Sequence, residues 1–247
     1  MPITFHEWGD PATARRTVAA LGSGEIQVWL ARLPAADAGI ARLAGLLSRD
    51  ERERAGRFRA VDARQHFVFG RALLRTLLAA HLDVEPAELE FAYQPHGKPF
   101  LTLPDPDAHP RFNLSHSGRL LAIALARGRD VGIDIESMST EVPDWLSLAS
   151  LFFSPRELEE LTALPTPHLQ RQAFFTGWTR KEAYLKATGE GLSNALAAVE
   201  VTLFPGQTPA LLKLPTATEF QRQWSISDIP LPPDFAGAVV YSSIITR

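Results

Sequence analysis

Val131-Gly132-Ile133-Asp134-Ile135-Glu136 reads as a β-strand, and its alternation organises the rest of the chain. In extended backbone, Asp134 and Glu136 share one face, while Val131, Ile133 and Ile135 share the other and can anchor it in a core. Two neighbouring carboxylates repel unless a cation lies between them. A solvated strand face is the plainer reading of the same pattern. A second segment, Trp178-Thr179-Arg180-Lys181-Glu182-Ala183, has a helical setting and brings a third carboxylate, Glu182, together with Lys181 and Lys186. An ordinary i,i+4 ion pair, worth about 0.2–0.5 kcal/mol, accounts equally well for Glu182 and Lys186. Trp178 reads as core. Acids for a hard metal and lysines for phosphate together point to chemistry on a phosphate ester.

Outward from these segments the chain reads as α/β. Strands are expected at Glu25 to Leu33, Leu89 to Tyr93, Arg111 to Leu114, Leu120 to Ala126 and Val131 to Glu136, the last two joined by a hairpin turn at Gly128-Arg129-Asp130. Ser48 with Glu51 forms a capping box before a short charged helix, and Asp62 to Leu82 carries helical periodicity. The second half repeats the plan. Ser154-Pro155-Arg156-Glu157 is a further capping box, followed by a helix from Pro167 to Thr188 that ends at Gly189. Strands are then expected at Ala198 to Phe204, Trp224 to Ile229 and Ala238 to Ile244. Aligning Gly70 with Gly177 sets Ser48 near Ser154 and Arg75 opposite Glu182. The expectation is two related subdomains, residues 1–128 and 129–247, each a small sheet packed by helices, with the site between them.

Composition narrows the function classes. A chain of 247 residues with 45% hydrophobic and 21% charged residues suits a soluble globular protein. Its net charge of −3 offers no bulk field for nucleic acid. The absence of cysteine removes disulfides, thiolate metal sites and a cysteine nucleophile. The N-terminal residues, Met1 to Asp10, lack a basic and then apolar leader, and the longest apolar run, Leu120 to Ala126, is too short to span a bilayer. The expectation is a cytoplasmic protein with neither nucleic acid nor membrane as partner. Only Lys98, Lys181, Lys186 and Lys213 are lysines, and three of them fall in segments that carry candidate chemistry.

Two further segments carry candidate groups. Arg111-Phe112-Asn113-Leu114-Ser115-His116-Ser117-Gly118 sets hydroxyls, an imidazole and a glycine at a strand end, where backbone N–H groups, Ser115 and His116 can meet an anion. A polar turn capping the strand is the alternative. A serine nucleophile is disfavoured because adjacent side chains diverge and no Gly-x-Ser-x-Gly elbow occurs. Gln94-Pro95-His96-Gly97-Lys98-Pro99-Phe100 is a turn in which backbone and ammonium can approach a nucleotide, although most such turns are only turns.

In order, Gly-Lys-Pro at 97–99, Asn-Leu-Ser-His-Ser-Gly at 113–118, Val-Gly-Ile-Asp-Ile-Glu at 131–136, Phe-Phe-Ser-Pro-Arg-Glu at 152–157 and Trp-Thr-Arg-Lys-Glu-Ala-Tyr-Leu-Lys-Ala-Thr-Gly-Glu-Gly-Leu at 178–192 resemble one family. They are similar to the motifs of 4′-phosphopantetheinyl transferases of the surfactin-synthetase-activating (Sfp) type, over about Ser48 to Leu192. The resemblance implies a monomer of two pseudo-twofold-related α/β subdomains with coenzyme A in the cleft between them. It implies that Asp134, Glu136 and Glu182 hold Mg²⁺, with Asp134, Lys181 and Glu182 as catalytic groups. Lys181 and Lys186 would lie near the phosphates, Ser115 and His116 in the nucleotide phosphate site, and Gly97 and Lys98 near the adenosine. Arg54, with Arg52 or Arg57, would receive the 3′-phosphate; Glu51 departs from the basic residue that some relatives carry. The implied reaction moves phosphopantetheine from coenzyme A to a serine of an apo acyl or peptidyl carrier protein of fatty-acid, polyketide or nonribosomal-peptide synthases. A Mg²⁺-dependent nucleotide phosphohydrolase and a non-catalytic binding module are the rivals. Arg156, Arg171 and Arg180 are the arginines considered for carrier recognition, near Leu151 to Leu164.

Overall fold

The structure, a computed structural model, describes residues 3–8, 18, 20–34, 37–102, 109–191, 194–204, 206–215 and 223–244. Leu192, which closes the last motif, and Met1, Pro2, Gly9 and Asp10 of the N-terminal reading lie outside these residues. The chain divides into two compact units, Met1–Gln94 with Pro99–Gly128, and Pro95–Lys98 with Arg129–Arg247.

In the first unit, β1 (Ile3–Glu7) and β2 (Ile26–Arg32) lead to α1 (Asp37–Leu43), α2 (Arg49–Arg57) and α3 (Val61–Leu82). A short hairpin, β3 (Phe91–Tyr93) and β4 (Pro99–Leu101), precedes β5 (Pro110–Ser117) and β6 (Leu120–Arg127). The sheet order is β1-β2-β6-β5, with β1 parallel to β2 and the remaining pairs antiparallel. The apolar stripe of α3, including Leu74, Leu77 and Leu78, shares a core with Trp29, Phe112, Ile123 and Leu125.

In the second unit, β7 (Val131–Ser137) is followed by α4 (Trp145–Phe152), α5 (Pro155–Thr162) and α6 (Pro167–Thr188). A hairpin of β8 (Glu200–Val201) and β9 (Leu211–Lys213) precedes β10 (Trp224–Asp228) and β11 (Phe235–Ser242). Its sheet order is β10-β11-β7, antiparallel throughout. The apolar residues of α6, such as Phe174, Ala183 and Leu185, share a core with Val199, Leu203, Ala238 and Val240.

The expected hairpin across Gly128-Arg129-Asp130 does not form. β6 already has β2 and β5 on its two edges, so β7 takes β11 instead. The expected strand at 111–114 runs on to Ser117, which leaves Gly118 and Arg119 as the turn. Residues 198–204 form little strand: a 3-10 turn at Asn194–Ala198 is followed by the two residues of β8.

Both units follow one internal plan. β2, β6 and β5 correspond in pairing to β7, β11 and β10. α3 and α6 are each 22 residues long, and one shift carries Val61 onto Pro167 and Leu82 onto Thr188. That shift places Arg75 on Lys181, not opposite Glu182 as the glycine alignment suggested. A buried ion pair sets the true register. The capping-box residue Glu51, 2% exposed, accepts from Arg71 Nε and Arg75 Nε at 2.5 Å each, and Arg75 Nη1 continues to the carbonyls of Pro86 and Leu89 at 2.6 and 2.9 Å. In the second unit the capping-box residue Glu157 accepts from Lys181 Nζ at 2.6 Å, which continues to the carbonyls of Leu196 and Phe152 at 3.1 and 3.0 Å. In each unit, then, a helix-capping acid holds a cation from the long helix, and that cation also satisfies backbone carbonyls outside that helix.

Removing one partner leaves the other buried and uncompensated, at a cost of about 3–5 kcal/mol. Glu51→Gln and Glu157→Gln are each expected to lose that much in urea unfolding read by linear extrapolation. A loss below about 1 kcal/mol, the scale of surface pairs, would remove the pins from the account of the fold.

Candidate active site

The second unit brings three of the expected carboxylates together. β7 is buried on both faces, because α6 lies against the face that carries Gly132, Asp134 and Glu136. A Cβ on Gly132 would stand 2.1 Å from the carbonyl oxygen of Ala183 and 2.2 Å from the amide of Ala187, so strand and helix backbones meet there and only glycine fits. One turn of α6 then sets Glu182 and Lys186 across from Asp134. Asp134 is 3% exposed and Glu182 7% exposed, while Glu136 is half-buried. Lys186 Nζ donates to Asp134 Oδ1 at 2.6 Å, so its ammonium serves the strand carboxylate and is not confined to a pair within its own helix.

Like charges in a dry place oppose ionisation. Burial first, then the charge of Asp134, pushes the Glu182 carboxyl up to about 7; Glu136 adds to the rise and Lys186 opposes it. Glu182 Oε1 is buried without a hydrogen-bond partner among the described residues. An all-oxygen donor set with a carboxylate forced towards neutrality fits a hard divalent cation. Among the described residues no three such groups converge tightly enough to enclose an ion on their own. A carboxylate titrating near neutrality equally suits a general base.

Lys181 is placed elsewhere than the resemblance implied. It is 0% exposed, pinned to Glu157, with its ammonium held below its usual range by burial against the opposing pull of Glu157. Successive helical residues face about 100° apart, so Lys181 turns into the core while Glu182 and Lys186 turn to β7. Trp178 packs against Phe152 and Phe174 as a core ring.

Lys98, expected near the adenosine, has its side chain engaged within the second unit. Its ammonium donates to the carbonyls of Lys186, Ala187 and Val131 at 2.5, 2.9 and 3.2 Å. Gly97, at φ +84 with open space where a Cβ would stand, is the part of that turn that faces outward.

The remaining expected groups lie in the first unit. Ser115 and His116 are strand residues of β5: alternation buries Ser115 and exposes His116. The His116 ring lies 5.0 Å from that of His66 on α3. His66 on α3 has Nδ1 2.7 Å from the carbonyl of Asp62 and Nε2 2.7 Å from that of Gly118. It therefore buttresses the β5–β6 turn from 52 residues away in sequence. Arg54 is exposed, with its guanidinium over the Phe67 ring at 5.1 Å, and Arg57 is exposed at the end of α2. Arg52 turns back to the Leu47 carbonyl at 2.6 Å. Glu51 is spent on Arg71 and Arg75; burial alone would raise its carboxyl, but those two guanidiniums hold it below its usual range.

Two family models match the chain: "4′-phosphopantetheinyl transferase superfamily" over residues 130–240, and "4′-phosphopantetheinyl transferase, N-terminal" over residues 34–127. A Nostoc sp. protein named 4′-phosphopantetheinyl transferase HetI is 40% identical over 218 residues, 88% of this chain and 87% of its own length. The 4′-phosphopantetheinyl transferase Sfp of Bacillus subtilis is 34% identical over 163 residues, 66% of this chain and 69% of its own. A Bacillus anthracis holo-(acyl-carrier-protein) synthase solved with coenzyme A matches 46% of this chain and 94% of its own, at 21% identity and a TM-score of 0.38.

The raised Glu182 carboxyl has a stability consequence. The native state holds that proton more tightly than the unfolded chain, so in metal-free buffer stability falls as pH rises from about 4.5 to about 7, and the whole penalty is present above that. Glu182→Gln removes the penalty. At pH 8 with EDTA the variant is expected to exceed its parent by about 3 kcal/mol, and at pH 4 the two should coincide. Parallel stability curves from pH 4 to 8 would refute the shift.

Proposed function

The chain belongs to the 4′-phosphopantetheinyl transferase superfamily, and from that we propose that it transfers phosphopantetheine from coenzyme A to a serine hydroxyl of an apo carrier protein, releasing adenosine 3′,5′-bisphosphate. The observation that carries this reading is the group of Asp134, Glu136 and Glu182 with Lys186 at 2.6 Å from Asp134. Asp134, Glu136 and Glu182 are the residues that would hold Mg²⁺. The ion supplies positive charge that neutralises the pyrophosphate and the departing phosphate.

The protein's own groups account for the proton and the alignment. Glu182, directly or through a water, takes the proton from the serine Oγ as that oxygen bonds to the pantetheine-bearing phosphorus. The bond from that phosphorus to the bridging oxygen breaks, and its electron pair leaves with the adenosine bisphosphate. Lys186, half-buried beside Asp134, is the ammonium on this side of the site that would offer its charge to a phosphate oxygen. Lys181, buried on Glu157, serves in this reading to fix the register of α6. In the first unit, Arg54, Arg57, Ser115 and His116 are the groups for the phosphates of the nucleotide.

For an acidic carrier, the local contacts favour one of the three arginines. Arg180 is sealed in a bidentate pair with Asp228 at 3.0 and 2.7 Å, and Arg171 donates to the carbonyls of Met138 and Thr140. Arg156 has a side chain 61% exposed on α5, paired with the neighbouring acids Glu160 and Glu200, and it lies near in sequence to the exposed Leu151. Carriers of fatty-acid, polyketide and nonribosomal-peptide synthases all remain substrates of this reading, with the protein acting as a cytoplasmic monomer. No helix among the described residues is long and apolar enough to cross a membrane.

Intact mass spectrometry of an apo carrier protein incubated with this protein, coenzyme A and Mg²⁺ tests the reaction. The expected outcome is a gain of one phosphopantetheine, lost with EDTA and with Asp134→Ala, and reduced by Arg156→Glu. Consumption of coenzyme A without any carrier would replace the transfer with hydrolysis. Mg²⁺ is also expected to raise the melting temperature more at pH 8 than at pH 5, because the cation relieves a repulsion that protonation of Glu182 already relieves at low pH.

A further inference from the structure

We propose that Lys98 is a positioning residue, whose ammonium clamps the start of β7 to the last turn of α6 and so keeps Asp134 and Lys186 in register. The inference rests on the transfer reaction proposed above for its catalytic consequence, but not for the clamp itself. α6 ends at Thr188, with Gly189 in the left-handed region at φ 80 and its amide bonded to the Leu185 carbonyl at 2.8 Å. The carbonyls of a final helical turn have no following turn to bond. Two of them, those of Lys186 and Ala187, are taken by Lys98 Nζ at 2.5 and 2.9 Å. Its third contact, at 3.2 Å, is the carbonyl of Val131, the first residue of β7. Val131 pairs with Tyr241 of β11, so this contact is a second tie for the opening residue of β7.

Three N–H donors on one ammonium are thus matched by three backbone oxygens from the two elements that carry the acids and Lys186. Asp134 follows Val131 by three residues, and Lys186 itself supplies one of the clamped carbonyls. A slip at this point would be passed directly to the 2.6 Å contact between Lys186 and Asp134. The charge matters as well. The C-terminal end of a helix carries partial negative charge, which opposes the approach of an anionic pyrophosphate to Lys186; a fixed ammonium there offsets it. The seat of the lysine is built for this. Residues 95–98 belong to the second unit although the chain on either side of them belongs to the first, and Gly191 lies so close to His96 that a Cβ would stand 3.1 Å from it.

The chain has no cysteine, so Lys98→Cys provides a unique thiol. Alkylation with 2-bromoethylamine rebuilds an ammonium at the native length with sulfur in place of one methylene, and iodoacetamide supplies a neutral control. Two readings are taken on all forms: hydrogen exchange of the peptide covering residues 183–191, and steady-state transfer to a carrier protein. In the Cys and carbamidomethyl forms, exchange is expected to quicken by about tenfold. The same forms should lose kcat by roughly 10- to 100-fold while the coenzyme A KM stays within about twofold. Aminoethylation should restore both readings. Lys98→Arg, which keeps a cation at the helix end, should exchange more slowly than Lys98→Cys and guards against a Cys variant that folds poorly. Unchanged exchange in every form would overturn the clamp. A raised KM with kcat intact would overturn the positioning role and make Lys98 a ligand contact. Absence of transfer by the unmodified protein would fail the reaction proposed above, and exchange would still decide the clamp.

Discussion

A helix-capping glutamate that grips a buried cation from the long helix is the interaction on which each unit depends. Glu51 holds Arg71 and Arg75, and Glu157 holds Lys181. The acid also closes its own capping box, and its partner cation reaches carbonyls beyond the helix at Pro86 and Leu89, or at Leu196. Short helix, long helix and following turn are therefore fixed by one charged centre. Such a centre is a poor source of net stability, since desolvating the charges costs nearly what their attraction returns. Its value is specificity: a one-residue rotation of α6 would strand Lys181 in apolar surroundings and turn Glu182 away from β7.

The active-site electrostatics follow from that fixed register. Gly132 allows the α6 backbone to press against β7, and this contact leaves Asp134 and Glu182 with little access to water. Repulsion among acids is tolerated because Lys186 and Lys98 supply local positive charge, one to Asp134 and the other to the helix end. The site holds a Glu182 carboxyl raised to about 7 as a consequence of its packing. Poising of this kind costs stability in the protein alone and becomes useful when a cation and a phosphate ester arrive.

Much of this was legible in the chain. Both capping boxes, both long helices and the strand at 131–136 follow from local periodicity and end signals, which depend on residues three or four apart. The juxtaposition of Asp134 with Glu136 is a property of any strand with that spacing. The elements that were missed are short: β1, β4, α1, α4 and β9 have eight residues or fewer, too few for a pattern to rise above chance. The β6–β7 hairpin was misjudged because turn chemistry at Gly128 does not reveal that both edges of β6 are already taken.

The sequence by itself determined the element types, the family-like order of motifs and the three candidate carboxylates. Tertiary structure alone decided the fate of the lysines. Lys181, Lys186 and Lys98 look alike as cations beside a candidate phosphate site, yet one is buried on Glu157, one meets Asp134 and one caps a helix. Their partners lie 24, 52 and 88 residues away. Local spacing reports the direction in which a side chain leaves its helix or turn. The group waiting there is set by packing between distant segments, and for a charged side chain that partner decides between pinning a fold and serving a reaction.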